Sequence, residues 1–344
     1  TVHWLSTGFI AAMTISMLVN DWLVRAFGER ATYLGAMAIF TFGAVLGGLC
    51  NSIDTMIVAR MLQGLGAGMV QPLSMILMFK VFPTEQRGHA MGLFGMGIIV
   101  APALGPVMGG ILLDVFNWRY VFFMSIPVAA AGVLLALVFM PNPKREGPLP
   151  VFDWIGLVLV IVFVAAVLTG LSSGQREGWQ APIISLYFST AMISGVAFII
   201  WELISPDPIM QLRVFSNANF AAAAIVGMVL GAGLFGSIYV VPLFVQTVQS
   251  YSPTRSGILM IPGGIIMMMA FPIAGRLSDM LPSYQLVLFG LFVFGASSLL
   301  MIQVHTDTPF WTFAIWIMIG RVGLAVIMPT LTVSAVATLR PEQL

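Results

Sequence analysis

An all-α membrane protein is the fold class the sequence predicts, and three observations predict it. Charged residues make up 8% of the 344 positions and hydrophobic residues 59%, where a soluble domain carries roughly 25% charged. Mean hydropathy is +1.02. Apolar stretches of about 20 residues, the length that crosses a hydrocarbon core of about 30 Å as a helix, recur along the whole chain. The alternating pattern of a membrane barrel is absent.

Cutting at charges, turn residues and Pro-rich stretches gives eleven expected spans. The first, at about 2–22, ends at Asn20-Asp21. The second, about 31–51, follows the Arg25–Arg30 loop and stops at Asn51-Ser52. The third, about 55–79, contains Arg60, Gln63 and Pro72 and stops at Lys80. The fourth, about 88–113, is rich in Gly and Pro and ends at Asp114. The fifth, about 118–140, opens on Trp118-Arg119 and stops at Pro141. Two more, about 152–171 and 183–203, run from Asp153 and up to Glu202. The last four lie at about 219–243, 255–275, 284–303 and 310–338.

Basic residues set the orientation. With the Arg25–Arg30 loop in the cytoplasm, the cytoplasmic side holds Arg25, Arg30, Lys80, Arg87, Lys144, Arg145, Arg213, Arg276 and Arg340. The other side holds only Arg119, Arg176 and Arg255. That bias supports both the span count and its parity.

Several function classes drop out. Net charge is +1, so there is no basic footprint for nucleic acid. Cys50 is the one cysteine, which excludes an internal disulfide, and His3, His89 and His305 fall at separate helix ends or loops. No converging His/Asp/Glu or Ser/His set indicates an enzyme. No glycine loop before a GK[ST] triplet indicates ATP coupling. The expected cofactor list is empty, with the proton gradient as the energy source. The chain opens without methionine and ends in mid-pattern, so a fragment cut at both ends is expected.

An internal repeat organises the rest. Asp21–Arg25 has a counterpart in Gly275–Asp279, and Gly64 one in Gly320, at nearly the same offset. This predicts two parallel halves. The Pro-rich charged segment 141–151 and the segment 204–218, expected along the cytoplasmic membrane surface, bracket two spans with no counterpart. The expected division is therefore residues 1–140 as an N-terminal bundle, 141–218 as a linker with two inserted helices, and 219–344 as a truncated C-terminal bundle.

Three sets of residues are candidates for transport. In the fourth span Gly92, Gly95, Gly97, Gly105, Gly109 and Gly110, with Pro102 and Pro106, admit close helix approach and bending. Arg60 and Arg321 are ionisable groups inside spans, where such groups are costly and face an interior or a cavity. For Arg60 the readings are a carboxylate partner, tuning of a proton-carrying acid, or snorkelling to the interface. No carboxylate falls mid-span: Asp21, Asp114, Asp153 and Glu202 sit near span ends. The proton carrier is then one of these or lies outside the sequence.

These residues resemble motifs of the major facilitator superfamily. Gly92-x8-Ala101-x3-Gly105-Pro106-x2-Gly109-Gly110 is similar to the antiporter motif of its drug exporters, with Ala101 in place of glycine. Arg60-x2-Gln63-Gly64-x-Gly66 looks like the fourth-helix motif implicated in proton coupling, with Arg321 as a second-half candidate. Trp22-Leu23-x4-Phe27-Gly28-x-Arg30 resembles the gating loop, degraded by Asp21 and Arg25, while Gly275-Arg276-Leu277-Ser278-Asp279 is closer to pattern. Trp118–Phe122 with Pro127, Trp201-Glu202, Leu212–Phe215 and Asn219-Phe220 narrow the likeness to fourteen-span drug:proton antiporters of the EmrB/QacA type. The resemblance implies two pseudo-symmetric bundles with two extra helices between them, lacking here the first and last helices. It also implies efflux of lipophilic, often cationic compounds across the cytoplasmic (inner) membrane. The alternative on the same scaffold is export of a specific metabolite, siderophore or lipid precursor. Expected partners are a small lipophilic substrate and the bilayer, and a periplasmic adaptor if the source has two membranes.

Overall fold

The computed structural model describes residues 4–83, 86–141 and 149–337; the side chains of Arg87, Ala101 and Pro106 lie outside that description. So do His3, Lys144, Arg145 and Arg340 and most of the expected 141–151 linker. Among the described residues every regular element is helical. In order they are α1 (Trp4–Phe27), α2 (Glu29–Leu49), α3 (Ile53–Val81), α4 (Arg87–Val115), α5 (Trp118–Phe123) and α6 (Ser125–Phe139). There follow α7 (Trp154–Glu177), α8 (Pro182–Ile204), a 3₁₀ turn (Leu212–Ser216), α9 (Ala218–Thr247), α10 (Pro253–Met280), α11 (Ser283–Met301) and α12 (Phe310–Ala337).

Ten helical segments are long and apolar enough to cross a membrane, α5 and α6 counting as one. The 29 residues of α4 also exceed the span length. Side chains such as Phe139, Val128 and Phe292 are about three-quarters exposed, as a lipid-facing surface requires. The protein is therefore a multi-pass membrane protein. The fifth expected span is found as Trp118–Phe139, with a turn at Met124 that divides it into α5 and α6. Pro127 has no N–H to give the Phe123 carbonyl four residues back, and beside it the Ser125 hydroxyl donates to the Phe122 carbonyl at 2.9 Å. The segment 204–218 contains the 3₁₀ turn, after which Asn217 caps α9 by accepting from the Asn219 and Phe220 amides.

The chain divides by internal packing into two compact units, Thr1–Ser74 with Arg119–Arg213, and Met75–Trp118 with Val214–Leu344. This division follows contact, whereas the sequence division follows the repeat. In the first unit α3 meets its neighbours backbone to backbone. A Cβ on Gly64 would lie 2.2 Å from the Phe9 carbonyl oxygen of α1, and one on Gly68 2.1 Å from that of Met13. One on Gly66 would lie 2.5 Å from the Ala36 carbonyl oxygen of α2. Phe122 and Phe123 of α5 fill the places where Gly47 and Gly48 of α2 lack side chains. α7 packs against its hairpin partner α8 and against α1.

In the second unit α10 pairs with α4 and with α12, and α12 also packs on α11. Two apolar clusters fill the interior, one around Met267, Phe271, Leu324 and Ile327, the other around Val245, Leu259, Phe313 and Ala314.

Gly64→Ala is expected to lower the melting temperature of the detergent-purified protein, because its methyl group meets backbone rather than a movable side chain, at a cost of about 1–3 kcal/mol. Gly35→Ala has open space within 4 Å and should be neutral or gain about 0.5–1 kcal/mol of helix propensity. Equal melting temperatures for the two variants would refute the close approach of α1 and α3.

Candidate functional site

The first gating-type loop turns at Gly28, with φ +83° and ψ 162°, a region that residues with a Cβ essentially do not enter. The Gly28 carbonyl accepts from both the amide and the hydroxyl of Thr32. Arg30 reaches the end of α6, donating to the Leu137 carbonyl at 2.9 Å and the Met140 carbonyl at 3.5 Å. A cation there offsets the unsatisfied carbonyls and negative end of the helix. Arg25 forms an exposed ion pair with Asp21 at 2.8 Å. Trp22 donates its indole N–H to the Pro150 carbonyl at 3.0 Å and stacks edge-on against Phe152. Residues 21–27, expected as part of a loop, are the end of α1, so Gly28 alone joins α1 to α2, and this corner is fastened to the end of α6 and to Pro150 and Phe152.

Arg60 is half-buried on α3. Its guanidinium lies 4.5 Å over the Phe122 ring and donates to Gln63 Oε1 at 3.4 Å. Among the described residues it meets a ring and an amide, and no carboxylate. Arg119 ties α5 to the α2–α3 connection by donating to Asn51 Oδ1 at 2.8 Å, which accounts for the Trp118–Phe122 run.

In the second unit the antiporter-type residues lie on α4. Gly92 and Gly110 are five helical turns apart and share one face. A Cβ on Gly92 would lie 2.8 Å from the Phe271 carbonyl oxygen, and one on Gly110 3.0 Å from the backbone of Pro253. The two helices therefore run antiparallel along that face. Gly95 faces the Phe271 ring, whereas Gly105 and Gly109 have no atom within 4 Å of where a Cβ would stand. Both ends of the pair carry a polar contact: Asp279 accepts from the His89 amide at 3.2 Å, and Thr254 donates its hydroxyl to Asp114. Asp279, in the last turn of α10, thus satisfies an orphan amide at the positive start of α4. The second gating-type run, expected as a loop, is corrected: Gly275–Asp279 continue α10, with Gly275 buried and Arg276 exposed.

Arg321 on α12 is 7% exposed. Its stem passes Gly263 of α10, where a Cβ would come within 3.2 Å of Arg321 Cγ. Among the described residues its guanidinium has neither a hydrogen bond nor an ion pair. It lines a cavity of about 360 Å³ walled by Ser237, Val241, Met260, Phe294 and Ser297, among others. Ser297 is committed to the Trp316 carbonyl at 2.7 Å; among the described lining residues Arg321 is the one charge, and the walls are otherwise mostly apolar. Sequence reading found Arg321 but missed Met260, Phe294 and Ser297, since an apolar or small residue within an apolar span carries no signal of its own. Asp279→Asn is expected to keep the α4 cap and Asp279→Ala to lose it, at a cost of about 0.5–2 kcal/mol. Hydrogen exchange over residues 87–91 should quicken only in the alanine variant; unchanged exchange would remove Asp279 from this role.

Comparison with known proteins follows the same lines. The Major Facilitator Superfamily model matches residues 1–344. The chain is 30% identical over 333 residues to the uncharacterized MFS-type transporter YhcA of Bacillus subtilis, covering 96% of this chain and 62% of that protein. It is 30% identical to the multidrug transporter protein MdtP of the same organism, over 99% of this chain and 63% of that protein. It is 31% identical to the multidrug export protein EmrB of Haemophilus influenzae, over 79% of this chain and 54% of that protein. The chain thus spans about three-fifths of the length of such relatives. Among solved structures, the proton:xylose symporter XylE bound to 6-bromo-6-deoxy-D-glucose matches with a TM-score of 0.65 at 14% identity, covering 98% of this chain and 72% of that one.

Proposed function

Because the chain belongs to the major facilitator superfamily, we propose that it works by alternating access as a proton-coupled exporter of lipophilic compounds in the cytoplasmic (inner) membrane. One observation carries this reading: the apolar cavity of the second unit with the buried, unpartnered Arg321 on its wall. Apolar walls take lipophilic surface, and one fixed charge orients it. The names of MdtP and EmrB, both multidrug proteins, support the substrate class. The α4–α10 pair supports the movement. It is packed closely at Gly92, Gly95 and Gly110 and held at its ends by single polar contacts that are cheap to break.

The buried guanidinium narrows the substrate. A second cation in a low-dielectric cavity is repelled and an acid attracted, so the transported compounds are neutral or acidic lipophiles rather than cations. Arg60 and Gln63, bonded to each other beneath Phe122, would influence proton movement only through the first unit's packing, since neither faces a carboxylate.

Inside-out vesicles from cells expressing the native gene test this. Energised vesicles are expected to release protons when lipophilic acids or neutral compounds are added, and less when lipophilic cations are. Arg321→Gln should lower the response to acids on the order of tenfold, about 1.4 kcal/mol of lost attraction, while Arg60→Ala reports coupling through the first unit. Silence across all three compound classes would sink the drug-export reading. A response confined to one metabolite would favour the specific-exporter alternative.

A further inference from the structure

The inserted helix pair holds a feature that the transport reading leaves unused. Asp153 stands before the first turn of α7, where Oδ1 accepts from the Gly156 amide at 2.9 Å and from the Trp201 indole N–H at 2.8 Å. Glu202, in the last turn of α8, folds back on the following segment, where the Met210 amide donates to Oε2 at 2.9 Å and the Ile209 amide also donates to the carboxylate. Each carboxyl group thus commits one oxygen. The other oxygens, Asp153 Oδ2 and Glu202 Oε1, are buried without a hydrogen-bond partner. The two residues are 8% and 3% exposed.

Both orphan oxygens lie against the same backbone carbon. A Cβ on Gly156 would be 2.6 Å from Asp153 Oδ2 and 2.5 Å from Glu202 Oε1. Glycine at 156 therefore leaves the room into which the two carboxyl groups turn. Little nearby charge compensates them. Asp153 shares the lining of a small pocket with Asp21 and Arg25 of α1 and with Asp207. Arg25 is that lining's one cation, and it is exposed and held by Asp21. Trp201 is neutral, and α7's own charges, Arg176 and Glu177, lie at its far end.

Two ionised carboxylates buried against the same backbone carbon repel, and each orphan oxygen costs about 1–3 kcal/mol or more. One proton removes both penalties: bound to either oxygen, it makes a donor for the other carboxylate and a short, charge-assisted bond. We propose that Asp153 and Glu202 bind one proton between them. The resulting O–H···O⁻ pair clasps the start of α7, the end of α8 and residues 205–210 together. When the proton leaves to water, the clasp becomes a repulsion and its hold on that segment weakens. This site is independent of the export reading, because it needs no substrate.

By linkage, the clasp's contribution to stability declines as the pH rises and is gone once the shared proton leaves. The test is thermal stability of the purified native protein from neutral to alkaline pH, with infrared detection of protonated carboxyl. Wild type is expected to lose stability with rising pH and to show an acid band at neutral pH that disappears in step. Glu202→Gln keeps an N–H donor facing Asp153 and should flatten the pH dependence; Gly156→Ala should destabilise by forcing the oxygens apart. The infrared titration of wild type decides the matter even if a variant fails to fold. No acid band at neutral pH overturns the proposal. Stability at alkaline pH that sodium restores and choline does not would also overturn it, making the site one for a metal cation.

Discussion

Helices in lipid have no hydrophobic drive toward one another, because lipid tails are as apolar as leucine; they hold by close packing and by polar contacts. The glycine approaches therefore come first in this structure, and the other contacts are placed by them. Gly64 and Gly68, one turn apart, bring α3 onto α1, and Gly66 brings it onto α2. With α2 and α3 in place, Gly47 and Gly48 of α2 leave slots for Phe122 and Phe123. Phe122, once seated, supplies the ring over which Arg60 lies. The surroundings of Arg60 thus descend from missing side chains several steps away.

Charges do a second and more local job. Helix ends expose amides and carbonyls that lipid cannot satisfy. Asp279 serves the start of α4, Arg30 the end of α6, Asp153 the start of α7 and Asn217 the start of α9. Arg30 and Asp279 both belong to the loops that sequence reading marked as gates. Capping and gating are compatible: a single capping bond sets where a helix ends at little energetic cost, and so can be exchanged during a conformational change.

The fold was legible because its main signal is length and composition, and a run of about 20 apolar residues states its own geometry. The break at Met124 was harder to see, since Pro127 in an apolar run reads equally well as a kink or as a first-turn residue. The site was legible only where it is charged. Arg60, Arg321 and Asp279 stand out in apolar sequence, but their partners are a ring, a cavity wall and a backbone amide, none of which has a sequence signature. The antiporter-type run was recognisable as a set, yet only geometry separates Gly92 and Gly110, which touch α10, from Gly105 and Gly109, which do not. Asp153 and Glu202 were visible as end-of-span acids; what joins them is the absent side chain of Gly156, far from Glu202 in sequence.

Arg60 and Arg321 show why spacing alone misassigns such residues. Arg60 precedes Gly64 by four positions, whereas Arg321 follows Gly320 by one. Within the repeat that aligns these glycines, the two cations differ by five positions, more than a full helical turn and well over 90° around the axis. They were never equivalent, and their surroundings say so. Arg60 lies under aromatic cover and shares its charge with an amide. Arg321 is set more deeply and opens on an apolar void. The cost of burying a charge persists until something neutralises it. In the first unit the protein's own ring and amide lessen that cost, and in the second nothing described does. An unmet cost of this kind falls with any anion that comes near, which is the physical ground on which the proposed function rests.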